Sequence, residues 1–282
     1  MSKKRAFTLV ELLVVIAIIA LLMSILMPAL GRVRNQAKSV LGQSNLKQLA
    51  TAYSMYLGDF DGKFPQGWAE GARNFHTEMW MEALRVYYGN SHELRMCPMT
   101  VKTGTEIGRD PYGGWGTFIA WGTFEGENCG EPWSWDSVTT CDYGSYGDNG
   151  YVNNPPPNVG ASQGSLTAWY WRRADVRGPT NNIPLILDCQ WWGGWPRHDN
   201  EPPLWDGQPW DFDHADMMRR FCINRHNGSV NSAFLDFSVR PVGLKELWKL
   251  KWHRKYDFDL TPTREEFNSA GDGWMKPFKN FD

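Results

Sequence analysis

Residues 7–30 read FTLVELLVVIAIIALLMSILMPAL, an apolar run whose only charge is Glu11. A helix that is apolar on every side has no polar face to offer water, so it belongs in a bilayer or deep inside a large core. At about 1.5 Å per residue it would be roughly 36 Å long, enough to cross a hydrocarbon layer of about 30 Å. A cleaved secretory signal has a shorter apolar stretch, about 7–15 residues, followed by small residues at the cut. The present run is longer and carries a carboxylate near its start, which favours a membrane helix. Lys3, Lys4 and Arg5 precede it and favour a cytoplasmic N-terminus, but Arg32, Arg34 and Lys38 load the opposite flank, so charge alone leaves the orientation open.

The rest of the 282-residue chain reads as water-soluble, because mean hydropathy is −0.48 and 21% of residues are charged despite the apolar start. A net charge of −2 gives no basic stripe for nucleic acid, and that class is set aside. The five cysteines, Cys97, Cys129, Cys141, Cys189 and Cys222, form no CxxC pair and no zinc-ligand spacing. Outside the cytoplasm disulfides are permitted, and Cys129 with Cys141 is the favoured pair. The odd count leaves at least one thiol unpaired within the chain.

Glu11 admits two readings. Thr8-Leu9-Val10-Glu11 fits a capping box, in which the carboxylate reaches back to the first free amide and sits against the positive helix end. A carboxylate just inside a membrane segment is also costly and marks a function or a specific partner. The string Arg5-Ala6-Phe7-Thr8-Leu9-Val10-Glu11-Leu12-Leu13-Val14-Val15-Ile16 resembles the N-terminal signal of type IV prepilins and type II secretion pseudopilins. The resemblance implies cleavage between Ala6 and Phe7 by a prepilin peptidase and N-methylation of Phe7. Ala6 stands where the family usually has Gly. Glu11 becomes the fifth mature residue, whose carboxylate meets the terminal amine of a neighbouring subunit in this family; such pairing offsets the burial cost of both charges. Pro28 falls where many pilins have a kinking proline, which removes one backbone donor and crowds the preceding turn.

Beyond Pro28, residues 31–57 read as an amphipathic continuation of the helix. Val33, Ala37, Val40, Leu41, Leu49, Ala50, Tyr53 and Tyr56 recur at spacings near three and four, with Arg32, Arg34, Lys38 and Lys47 between them. Gly58-Asp59-Phe60-Asp61-Gly62-Lys63-Phe64-Pro65 concentrates stop and turn residues, so the helix should end near Leu57. Asp59-x-Asp61-Gly62 has the start of a calcium loop but lacks the downstream ligands, and a plain turn is the simpler reading. The organisation is a leader at 1–6, a transmembrane and assembly helix at 7–30, its continuation at 31–57 and an extracytoplasmic globular domain at 58–282.

The fold expected is α+β: the long helix packed on an antiparallel sheet, with loop-rich, aromatic-rich insertions. Helical patterns recur briefly at 75–88 and 244–255, between short β-like runs broken by Gly, Pro, Asn and Asp. Residues 111–164, including Pro155-Pro156-Pro157, read as loops. Arg225-His226-Asn227-Gly228 followed by Asp236 resembles the H-x9-DG motif of a prepilin-processing-associated domain. Phe237 replaces the motif's Gly, which argues against a positive-φ turn there. Leu94-Arg95-Met96-Cys97-Pro98 and Gly144-Ser145-Tyr146-Gly147-Asp148-Asn149 are similar to internal stretches of the same proteins. Without the resemblance, residues 225–239 are a turn at Asn227-Gly228 and a strand, with His226 and Asp236 in structural hydrogen bonds. No nucleophile elbow, HExxH, phosphate loop or dinucleotide fingerprint accompanies them, and no enzyme is expected.

Residues 188–216 interleave Trp191, Trp192, Trp195, Trp205 and Trp210 with Asp199, Asp206, Asp211, Asp213 and Asp216. Tryptophans filling a core and aspartates making turns is one reading. Calcium held by the carboxylates and glycan stacked on exposed rings are the others. The resemblance implies a non-enzymatic pilin or pseudopilin subunit needing no cofactor, whose partners are prepilin peptidase, other subunits, the inner-membrane assembly machinery and lipid. The alternative is a membrane-tethered binding module that uses the same anchor to display its aromatic-rich domain.

Overall fold

The computed structural model describes residues 9–67, 79–89, 91–101, 116–122, 143–156, 167–209 and 216–281. Helix α1, Leu9–Asp59, is continuous through Pro28 and carries the chain into the globular domain. It ends where Asp61 and Gly62 adopt φ of 52° and 72°, the left-handed conformation that stops helices. Two short helices follow, α2 (Trp80–Ala83) and α3 (Arg85–Tyr88), the latter closed by Gly89 at φ 69°.

The strands are β1 (Trp121–Gly122), β2 (Tyr143–Gly144), β3 (Tyr146–Asn149), β4 (Pro184–Asp188), β5 (Gly193–Gly194), β6 (Ser229–Phe234) and β7 (Val239–Gly243). β1 and β2 pair antiparallel, and the other five form one sheet in the order β5-β3-β4-β6-β7. Within it β3–β4, β4–β6 and β6–β7 are antiparallel and β3–β5 is parallel. The protein is therefore α+β, a long helix on an antiparallel-dominated sheet. β4 is buried at all five positions, so it is covered on both faces, in keeping with its continuous apolar run Leu185-Ile186-Leu187. Pro184 sits at its first position, where a missing N–H matters least, and the register shifts between Pro184 and Ile186.

α1 packs on β6, β7 and β4 and on α3. Its buried residues are Gly42, Leu46, Leu49, Ala50, Ala52, Tyr53 and Leu57, a stripe at helical spacing. Leu49, Ala50 and Tyr53 were expected there, whereas Val33, Val40 and Leu41 are exposed at 60%, 59% and 57%. The packed stripe begins at Gly42, where an added Cβ would lie 3.3 Å from Asn231 Nδ2 and from the Tyr146 hydroxyl. A methyl group at this crossing would require the Asn231 amide and the Tyr146 hydroxyl to give by a few tenths of an ångström.

Tryptophan organises the long connections. Trp80, Trp121, Trp248 and Trp252 are fully buried, and each indole N–H donates to a backbone carbonyl: those of Trp192 (2.7 Å), Tyr146 (3.1 Å), Asn200 (2.7 Å) and Leu247 (2.7 Å). Burying so large a ring is favourable only if its polar atom finds a partner, so each indole pins an irregular segment at a point. The helical pattern expected at 244–255 is a 3-10 helix over Leu244–Lys249, after which Leu250 is extended. Leu244 and Leu247, three apart, share one buried face, which suits three residues per turn. Helix α4, Arg264–Ser269, starts with a complete capping box between Thr263 and Glu266.

Candidate functional site

α1 presents two surfaces. From Leu9 to Leu41 every large apolar side chain is at least 45% exposed, and among the described residues this is the one helix long and apolar enough to cross a membrane. Glu11, in its first turn, is exposed among Leu9, Val10, Leu12 and Leu13. Pro28 lies inside the helix and cannot donate to the carbonyl of Ser24, whose hydroxyl donates to the Leu21 carbonyl at 2.7 Å. Ala6, Phe7 and the capping residue Thr8 lie outside the described residues, as do Cys129 and Cys141. Cys97, Cys189 and Cys222 are buried free thiols.

The second surface of α1 meets a buried polar cluster. Asp188, at the end of β4, is wholly buried. Its Oδ1 accepts from Arg225 Nη1 at 2.9 Å, and its Oδ2 from the Asn231 amide at 2.7 Å and from His226 Nε2 at 3.0 Å. Burial alone would raise the Asp188 pKa, but Arg225, His226 and the Asn231 amide outweigh it and hold the carboxyl below its usual range. Arg225 spends its remaining donors on the carbonyls of Thr117 (2.8 Å), Ser145 (2.6 Å) and Cys189 (3.2 Å). The guanidinium thus ties β4, the segment before β3 and the segment before β1 to one point.

From this cluster hydrogen bonds run directly to α1. Asn231 Nδ2 donates to the Ser39 carbonyl at 3.2 Å, and Gln43 Nε2 donates to Asn231 Oδ1 at 3.1 Å. Lys47 Nζ donates to the Phe237 carbonyl at 2.9 Å. His226 precedes β6 and Asp236 follows it, so the two ends of the H-x9-D segment bracket the strand that carries α1. Asp236 is not a partner of His226: exposed in the β6–β7 turn, it accepts from the Ser238 amide at 3.0 Å and the Ser238 hydroxyl at 2.6 Å. The expectation that Phe237 excludes a positive-φ turn is corrected. Phe237 has φ 63°, and the Asp236 side chain closing the turn together with the Phe237 amide bond to Phe234 offsets the cost of that conformation. Asn227 and Gly228, at φ 52° and 91°, form the expected turn before β6, closed by the His226 amide on the Ser229 carbonyl at 3.0 Å.

Cys97 Sγ lies 3.4 Å from His226 Nε2, and with an Asp188 oxygen these atoms fall within 4.8 Å of one another, a spacing open to a metal ion. Both Asp188 oxygens already accept hydrogen bonds, Oδ1 from the Arg225 guanidinium, and burial, then the Asp188 charge, pushes the Cys97 thiol up. Cys97 was named from sequence in the stretch 94–98, but Asn231 was not, and neither Cys97 nor Asp188 was connected with His226, since nothing local links segments so far apart in the chain.

The aspartate and tryptophan region divides. Trp191, Trp192 and Trp195 are buried, as core residues should be, and Trp205 is 52% exposed. Asp199 pairs with Arg197, Asp216 with Arg219, and Asp206 accepts from the Thr117 hydroxyl and the Asn224 amide. Trp210, Asp211 and Asp213 lie outside the described residues.

The prokaryotic N-terminal methylation motif matches residues 1–27, which include α1 from Leu9 to Met27. No curated protein and no solved structure matches the chain. With this motif on a long apolar helix that fits a single-pass anchor, the N-terminal segment of the chain is type IV prepilin-like.

Proposed function

We propose that the chain is a non-enzymatic subunit cleaved between Ala6 and Phe7, N-methylated on Phe7 and assembled through α1 into a type IV pilus or a type II secretion pseudopilus. Its N-terminus faces the cytoplasm before cleavage, and the globular domain lies on the far side of the membrane. The observation carrying this reading is the division of α1: an anchor half with its apolar surface unburied by the protomer, rigidly continuous with a half fixed to the sheet. Stored in lipid, the outer half is solvated by acyl chains; in a filament the same surface packs against neighbouring copies. A surface that repeats head to tail gives an open fibre.

Glu11 recruits the next subunit by receiving its terminal amine, which is why one carboxylate is kept in an apolar face. Glu11→Ala should leave membrane insertion and cleavage intact and cut incorporation into sheared filaments at least tenfold. Normal incorporation of the variant would remove that role from Glu11.

A further inference from the structure

The 3-10 helix Leu244–Lys249 and the C-terminal segment line a half-open cavity of about 220 Å³. Lys245, Lys249 and Arg264 line it together with the rings of Phe258, Phe267 and Phe281, and among the described residues no carboxylate lines it. Lys245 is only 2% exposed. Its ammonium donates to two neutral acceptors, Asn268 Oδ1 at 2.9 Å and Asn280 Oδ1 at 2.7 Å. Burial, then the nearby Arg264, draws the Lys245 pKa below its ordinary range. Glu266, the acid nearest in sequence to Arg264 on α4 apart from Glu265, is committed elsewhere: its Oε2 accepts from the Thr263 amide at 2.6 Å and hydroxyl at 2.8 Å.

A buried cation is ordinarily paired, because neutral dipoles replace lost hydration only in part. Lys249 is half-buried and Arg264 exposed, so water meets part of their charge, and Lys245 is the cation that a single anion among the three would relieve most. Aromatic walls add a requirement for an apolar body. The volume, below the range of about 300–1,000 Å³ typical of drug-sized ligands, limits that body to a small molecule.

We propose that this cavity binds a small organic carboxylate, its carboxylate between Lys245, Lys249 and Arg264 and its apolar part against Phe258, Phe267 and Phe281. This gives the globular domain a ligand independent of the assembly helix. The site lies on residues that the prepilin motif does not include.

The test titrates the full-length protein in detergent with benzoate, its neutral isostere benzamide and inorganic phosphate at constant ionic strength, followed by ligand-observed NMR. Lys249 and Arg264 are replaced rather than Lys245, whose bonds to Asn268 and Asn280 also hold the C-terminal segment. Benzoate should bind saturably, with benzamide at least tenfold weaker. Lys249→Ala combined with Arg264→Gln should weaken benzoate at least tenfold at an unchanged unfolding midpoint, as expected for lost charge-assisted hydrogen bonds. Absence of saturable benzoate binding, equal binding of benzamide, or unchanged affinity in the double variant would overturn the proposal. Phosphate binding as tightly as benzoate would overturn the organic part of it.

Discussion

The two halves of α1 share one backbone and differ in everything around it. From Leu9 to Leu41 the large apolar side chains are all exposed, whereas Leu46 and Leu49 are 0% exposed and Leu57 is 6% exposed. Burial stabilises at about 25 cal/mol per Å² of apolar surface, and the outer half gains nothing of this kind within the protomer. Its free energy is realised only against lipid or other subunits. The inner half does the opposite: it contributes to the protomer's stability and fixes the direction in which the outer half projects. Substitutions in the inner half should therefore register in folding, and substitutions in the outer half in membrane residence and assembly.

The largest effect on folding is expected at Asp188. Asp188→Ala leaves Arg225 buried without its counter-charge and removes the acceptor of His226 and Asn231, costing about 3–5 kcal/mol. Urea unfolding of the detergent-solubilised full chain should show the midpoint fall while membrane insertion in cells persists. Next comes a matched pair, Leu49→Ala against Ile16→Ala. The first should cost about 2–5 kcal/mol as a core truncation. The second should stay within about 0.5 kcal/mol. Similar losses at both positions would erase the distinction between the halves.

A smaller effect follows from Asp148 on β3, a wholly buried carboxyl near α1. Its Oδ2 accepts from Asn153 at 3.2 Å, and burial pushes it up from 3.8 to about 7. The folded state then holds a proton that the unfolded chain has released, so this group makes stability fall as pH rises from about 4 to 7. Asp188, held low, acts in the opposite sense: its contribution is present above the unfolded carboxyl range and is lost as pH falls through its folded value. Asp148→Asn should flatten the decline between pH 4 and 7, read from urea midpoints across that window. An unaltered slope would mean that Asp148 is ionised in the folded protein.

The outer half of α1 was legible in the sequence because its signal is local: an unbroken apolar run, one carboxylate at a fixed place and a proline. The α+β class and the turn at Asn227-Gly228 were legible for the same reason. The polar cluster that ties α1 to the sheet was not, because it is assembled over distance. Asn231 meets Ser39 across 192 positions, and Asp188 meets the Asn231 amide across 43. No periodicity records such a meeting. The start of the packed stripe was misplaced because Val33, Val40 and Leu41 are apolar for an environment outside the protomer, and their spacing is the same as that of core residues. At Phe237 a residue preference was overridden by the Asp236 side chain, which closes the turn without glycine.

The central claim is entry into the prepilin pathway, and the N-terminal peptide of protein purified from its native membrane tests it most directly. Intact-mass and peptide mass spectrometry should find a chain beginning at N-methylated Phe7, and retention of residues 1–6 in a strain lacking the prepilin peptidase. A chain that keeps Lys3 to Ala6 in both strains, or one that begins near Leu30, would contradict the account.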